Sequence, residues 1–138
     1  DKELCCVATM IRREIDSFSD KREIDRVTGT NGWIIGYLAE NEGEDIFQRD
    51  IEKNFSITRS TASKVIDLMV KKGLIERSAV AYDARLKKLS LTPKAWMLHT
   101  KMEQCGRKVH DRAMRGFSKE EEEVLHEYLK RIRENMSK

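Results

Sequence analysis

A chain of 138 residues with 37% charged and 39% hydrophobic residues, one proline and a formal net charge of +3 has the make-up of a helix-rich, strongly solvated globular protein. No apolar run approaches the ~20 residues of a membrane span, and the opening stretch DKELCCVATMIRREID mixes charged and apolar side chains where a secretion signal would carry an apolar core. A cytoplasmic protein without a membrane partner is expected.

Residues 3–18 repeat Leu4, Val7, Ile11, Ile15 and Phe18 on one face of a helix. The polar segment 19–28 reads as a loop. A second helix is predicted over about 29–42, where Trp33, Ile34, Tyr37 and Leu38 recur at helical spacing. Asp45 with Gln48 three residues on has the form of a capping box, which opens a short third helix through Lys53. Phe47 and Ile51 are its apolar positions, and Phe55 falls in the following turn.

A fourth helix, about 58–72, takes Thr58 as its N-cap. At ~100° per residue, Ala62, Val65, Ile66 and Met69 turn inward while Ser60, Ser63, Lys64, Asp67 and Lys71 turn outward. Gly73 ends it as a left-handed cap would. Two β-like runs follow, 74–79 and 87–91, with a charged turn between them that contains Asp83 and Arg85. Thr92-Pro93 restarts a helix to about 115, with a hydroxyl cap and proline at the first helical position. Leu98, Met102, Cys105, Val109 and Ala113 run along one side of it. Ser118 and Glu121 form a second capping box before a last helix, whose inner face is read as Leu125, Tyr128, Leu129, Ile132 and Met136. The expected class is mainly α with a small β-hairpin wing, in the order α-α-α-α-β-β-α-α. That is a winged helix-turn-helix with flanking dimerisation helices.

The charge is concentrated where this motif sits. Residues 45–92 hold ten Lys and Arg against six Asp and Glu, an excess of four, and the rest of the chain is slightly acidic. Thr58, Arg59, Ser60, Thr61, Ser63 and Lys64 have groove-contact chemistry: hydroxyls and amines donate to phosphates, and an arginine can grip a guanine edge with two hydrogen bonds. Arg85 suits the narrow minor groove, with Asp83 orienting its guanidinium, and Lys87 and Lys88 suit phosphates. The plainer alternative for each is a capped, solvated helix start and a surface ion pair. The first helix and the last two carry apolar stripes that a small winged helix cannot cover, so a second copy of the chain is expected. A two-fold dimer predicts a palindromic operator in double-stranded DNA.

The run ITRSTASKVIDLMVKKGLIER followed by DARLKKLSLT resembles the MarR family of bacterial regulators. In that family the wing carries Asp-x-Arg and a Leu-Thr opens the dimerisation helix; here these are Asp83, Arg85, Leu91 and Thr92. The resemblance implies one MarR-like chain over 1–138, with a DNA-binding lobe at 29–92 and a helical dimerisation region at 1–28 and 93–138. It implies a homodimer that reads the major groove with the fourth helix and the minor groove with Arg85. It also implies a repressor released by a small aromatic or anionic effector bound between the dimerisation helices and the lobe. Trp33, Tyr37 and Trp96 are candidates to line an aromatic ligand pocket, although core packing explains them as well or better.

Two rival readings remain. Some relatives sense peroxides through a cysteine near the start of the first helix, and LCCVATMIRREI places Cys5 there. Those sensors hold the thiolate with second-helix tyrosines, whereas TGTNGWIIGY has Gly29 and Trp33 in that region and only Tyr37 nearby. The other rival is a winged-helix protein–protein adaptor. An enzyme is not expected, because the sequence has no Gly-rich phosphate loop and no nucleophile–base arrangement. Cys5, Cys6 and Cys105 lack ligand spacing, and His99, His110 and His126 give no one-turn pair, so neither a metal nor a cofactor is implied.

Overall fold

The computed structural model describes residues 1–29 and 31–136. Its elements, in chain order, are α1 (Lys2–Ser17), α2 (Ser19–Thr28), α3 (Gly32–Glu40), α4 (Gln48–Phe55), α5 (Arg59–Lys71), β1 (Ile75–Val80), β2 (Asp83–Leu91), α6 (Pro93–Ala113) and α7 (Lys119–Met136). The chain is mainly helical around one antiparallel hairpin, as expected, but five helices rather than four precede that hairpin.

The extra helix is α2, where a loop was expected. Its sequence SDKREIDRVT offers only Ile24 and Val27 as apolar residues, too few to show a periodic stripe. Ile24 and Thr28 are nevertheless buried, the Thr28 hydroxyl donates to the Ile24 carbonyl at 2.8 Å, and Lys21 pairs with Asp25 one turn on. Lys101 of α6 reaches Glu23 at 3.0 Å. Tertiary packing decides this segment. Gly29 then leaves the helix in the left-handed region, at φ 59°, which delays α3 to Gly32.

The start of α4 also departs from expectation. Its first turn is closed by Asp50, whose carboxylate accepts from the Phe47 amide at 2.8 Å. Asp45 and Gln48 do not cap it, because the helix begins at Gln48 and Asp45 lies too far upstream. The other predicted caps hold. The Thr58 hydroxyl accepts from the Thr61 amide at 3.2 Å, a contact worth about 1 kcal/mol to a helix. Ser118 and Glu121 cap α7 reciprocally at 2.8 and 3.2 Å. The Thr92 hydroxyl accepts from the Ala95 amide at 3.2 Å and donates to the Gly73 carbonyl at 2.6 Å, tying the end of α5 to the start of α6. Gly73 itself has φ 71°, where a side chain would be strained.

The core is centred on the winged-helix lobe and extends to Ile24 of α2 and into the start of α6. Ile34, Ile35, Ile51, Ala62, Ile66, Met69, Leu74 and Ile75 are all but inaccessible, and Leu89, Ala95 and Leu98 close it from β2 and α6. The inward positions read for α5 are there, with Val65 half-buried at the edge. In the hairpin, Ile75 pairs with Leu91 and Ala79 with Lys87, with an irregularity between Ala79 and Val80. The strands are longer than expected: β2 already begins at Asp83, so Asp83 and Arg85 stand on the strand and the turn is Ala81-Tyr82.

α1 and α7 differ from the lobe in burying no residue at all. The predicted inner face of α7 is open: Tyr128, Leu129, Ile132 and Met136 are exposed and only Leu125 is half-buried. α1 rests on α6 through Arg112 and Glu14, 2.6 Å apart, beside an apolar cavity of about 320 Å³ lined by Val7, Met10, Ile11, Val109 and Ala113.

Candidate nucleic-acid interface

Three elements build one cationic surface. α5 presents Arg59, Ser60, Thr61 and Lys64 to solvent, with Ser63 half-buried behind them. The single carboxylate of α5, Asp67, is taken by Arg77 of β1 at 2.5 Å, so it does not oppose the cations. β2 contributes Arg85 and Lys87. The Arg85 side chain is 90% exposed, and its polar partner among the described residues is Asp83, whose carboxylate accepts from its Nε at 3.3 Å and from its backbone amide at 2.9 Å. These bonds hold the Asp83 carboxyl below its ordinary pKa.

Arg59, Arg85 and Lys87 line one groove of about 440 Å³ together with Gln48, Arg49, Glu52 and Leu86. Four cations thus converge on a cleft that holds one carboxylate, an arrangement suited to a polyanion. Gln48 spans the junction of α4 and α5, its Nε2 donating to the Arg59 carbonyl at 3.4 Å. Arg49 lies over the Phe47 ring at 5.1 Å, and its charge also helps to depress the Asp83 carboxyl. The sequence did not mark Gln48 or Arg49 as residues of this surface. Arg49 was counted in the basic segment, but nothing local says that α4 turns it toward the wing.

The remaining candidates fall elsewhere. The Thr58 hydroxyl is engaged within the helix start, accepting from the Thr61 amide and donating to the Thr61 hydroxyl at 2.9 Å, which leaves its methyl as the free part. Lys88 is paired with Asp45 at 3.2 Å rather than free for phosphate. Trp33 and Tyr37 pack on Phe55, with ring centroids 4.2 and 5.4 Å apart, against the edge of the core. Burial accordingly raises the Tyr37 phenol above its ordinary pKa. Cys5 and Cys6 are exposed on α1, far in sequence from the buried Cys105. Among the described residues, no group of three His, Cys, Asp or Glu side chains is placed to hold a metal ion.

A helix with a polar, cationic outer face, set between a short capped helix and a basic β-hairpin, defines a winged helix-turn-helix. The MarR family model matches residues 27–86, the stretch from the end of α2 into the wing. Over 131 residues the chain is 27% identical to an uncharacterized HTH-type transcriptional regulator, YybA of Bacillus subtilis (strain 168), covering 94% of this chain and 85% of the relative. The transcription regulator MarR from Oenococcus oeni PSU-1 is 32% identical, with coverage of 96% of this chain and 98% of that one and a TM-score of 0.60. A MepR variant from S. aureus, solved with a bound oligodeoxyribonucleotide, shares the fold at 24% identity and a TM-score of 0.63, covering 96% of this chain and 97% of that one. The chain belongs to the MarR family of transcriptional regulators.

Proposed function

We propose that the protein is a dimeric, sequence-specific DNA-binding regulator that represses from a palindromic operator and is released by a small aromatic or anionic effector. The observation that carries the reading is the convergence of Arg49, Arg59, Arg85 and Lys87 on one groove beside the exposed polar face of α5. Phosphate neutralisation supplies affinity there, while Arg59, Ser60, Thr61, Ser63 and Lys64 face the bases and phosphates of the major groove. Arg85, steered by Asp83, enters the minor groove, and Lys87 meets phosphate. That a MepR variant of the same fold is known bound to an oligodeoxyribonucleotide supports this use of the surface.

Residues 29–92 act as the DNA-binding lobe, and 1–28 with 93–138 as the dimerisation region of a cytoplasmic homodimer. The exposed apolar residues of α1 and α7 support the pairing, since unpartnered stripes of this size mark contact surfaces. The effector acts by favouring a dimer geometry in which the two α5 helices no longer match the half-site spacing.

The test is a binding selection from random duplexes with the bound pool sequenced. Enrichment of an inverted repeat with half-sites about one helical turn apart is expected. Binding without an enriched site would replace this reading with a non-specific architectural protein, and no binding at all would favour the adaptor. Titration of the selected complex with phenolic carboxylates then tests release. Unchanged affinity across the series would remove that effector class.

A further inference from the structure

We propose that Asp45 and Tyr82 form a latch that sets the wing at the angle from which Arg85 reaches DNA, which makes them positioning residues for recognition. The proposal rests on the DNA-binding reading above. Tyr82 stands at the turn of the hairpin, and its hydroxyl donates to Asp45 Oδ2 at 2.9 Å across 37 positions of sequence. The other carboxylate oxygen, Oδ1, accepts from Lys88 Nζ at 3.2 Å. The next residue continues the seam: the Leu89 amide donates to the Ile46 carbonyl at 2.7 Å, and the two form an isolated antiparallel bridge. The segment 45–46 therefore fastens β2 at its root and the hairpin at its tip.

The need for such a fastening follows from the hairpin itself. A two-stranded sheet is marginal on its own. Residues 76–79 of β1 are exposed, so no core holds the outer half of the wing. Arg85 lies midway between Tyr82 and Lys88 in sequence, and among the described residues its side chain is paired only with its near neighbour Asp83. Its direction is thus inherited from a strand that Asp45 pins on both sides. Neither latch residue has another evident task. Asp50 performs the capping that Asp45 was expected to do, and Tyr82 is 65% exposed, outside the core.

Hydrogen exchange of wing amides in the full chain tests the latch without DNA. Exchange at residues 82–89 should quicken several-fold in Tyr82→Phe, with the thermal midpoint of the lobe unchanged. On a duplex recovered from the random pool, or on random duplex if none is enriched, Tyr82→Phe should weaken binding roughly fivefold. Arg85→Ala should then cost less in the Tyr82→Phe background than in the wild type, because an unfastened wing already presents the arginine poorly. Asp45→Asn, which keeps an acceptor for the hydroxyl, should retain more affinity than Asp45→Ala. Unchanged exchange overturns the latch. Faster exchange with strictly additive penalties overturns its positioning role. A wild type that ignores DNA overturns the functional reading instead, and the exchange result still decides the latch.

Discussion

Every buried hydrophobic residue described lies between Ile24 and Cys105, while α1 and α7 bury none. Both regions have helices with apolar residues at the same spacing, so periodicity does not separate them. What separates them is the presence of a second surface. α3, α4, α5, the hairpin and the first half of α6 close on one another, and the apolar side of each is covered within the chain. α1 and α7 leave Leu4, Val7, Val124, Tyr128, Leu129 and Ile132 in contact with solvent. The lobe is stabilised intramolecularly; on the dimeric reading proposed above, the terminal helices gain theirs from a second chain, so that it depends on concentration.

The sharpest way to break this comparison is to cut into the lobe. Ile66 is 0% exposed at the centre of α5, and Ile66→Ala should destabilise the chain by about 2–5 kcal/mol in a denaturant titration. A loss under ~1 kcal/mol would mean that the lobe is not one tightly packed unit. Leu129→Asp asks the converse of α7, where the side chain is 49% exposed. Sedimentation should show the mass falling to that of one chain, with the lobe's own unfolding midpoint little changed at matched monomer concentration. A dimer that persists would place the interface elsewhere.

Substitutions on the surface proposed to face DNA sharpen the contrast, because they should spare both folding and assembly. Arg59→Ala should cost about 1–3 kcal/mol of operator binding and relax specificity at one base position. Lys64→Ala should weaken binding evenly across sequences and flatten the salt slope by about 1 if it touches only phosphate. Equal losses on operator and random duplex for Arg59→Ala would remove its role as a base reader.

The same contrast explains how much could be read in advance. α5 and its cap were legible because Thr58 and the stripe Ala62, Ile66, Met69 are local signals, and the order around the wing followed from Gly73 and Thr92-Pro93. α2 was not legible: two apolar residues in ten carry no period, and its burial is conferred by α6 and α3. Asp45 misled for a related reason. Its spacing to Gln48 imitates a cap, yet its carboxylate is claimed by Tyr82 and Lys88 from a distant part of the chain. The cationic groove was half visible, since Arg59, Arg85 and Lys87 belong to recognisable motifs whereas Arg49 joins them only through the packing of α4. Long-range pairing is what a linear pattern cannot display.

The smallest effect expected is a pair of acid titrations within the wing. Asp45 and Asp83 both ionise below the ordinary carboxylate range, for different first causes: the hydrogen bond from Tyr82 for Asp45, and that from Arg85 for Asp83. A depressed carboxyl favours the folded arrangement above its unfolded pKa, and that contribution disappears as the pH falls through the folded value. The wing should therefore stay fastened at neutral pH and loosen only below the range in which free carboxylates protonate. Carbonyl chemical shifts followed against pH would assign each step. Tyr82→Phe should raise the Asp45 midpoint and leave Asp83 in place, and Arg85→Ala should do the reverse. If either substitution moved both midpoints equally, the two carboxylates would belong to one coupled cluster, and Arg85 would be held by the latch directly rather than by the strand it stands on.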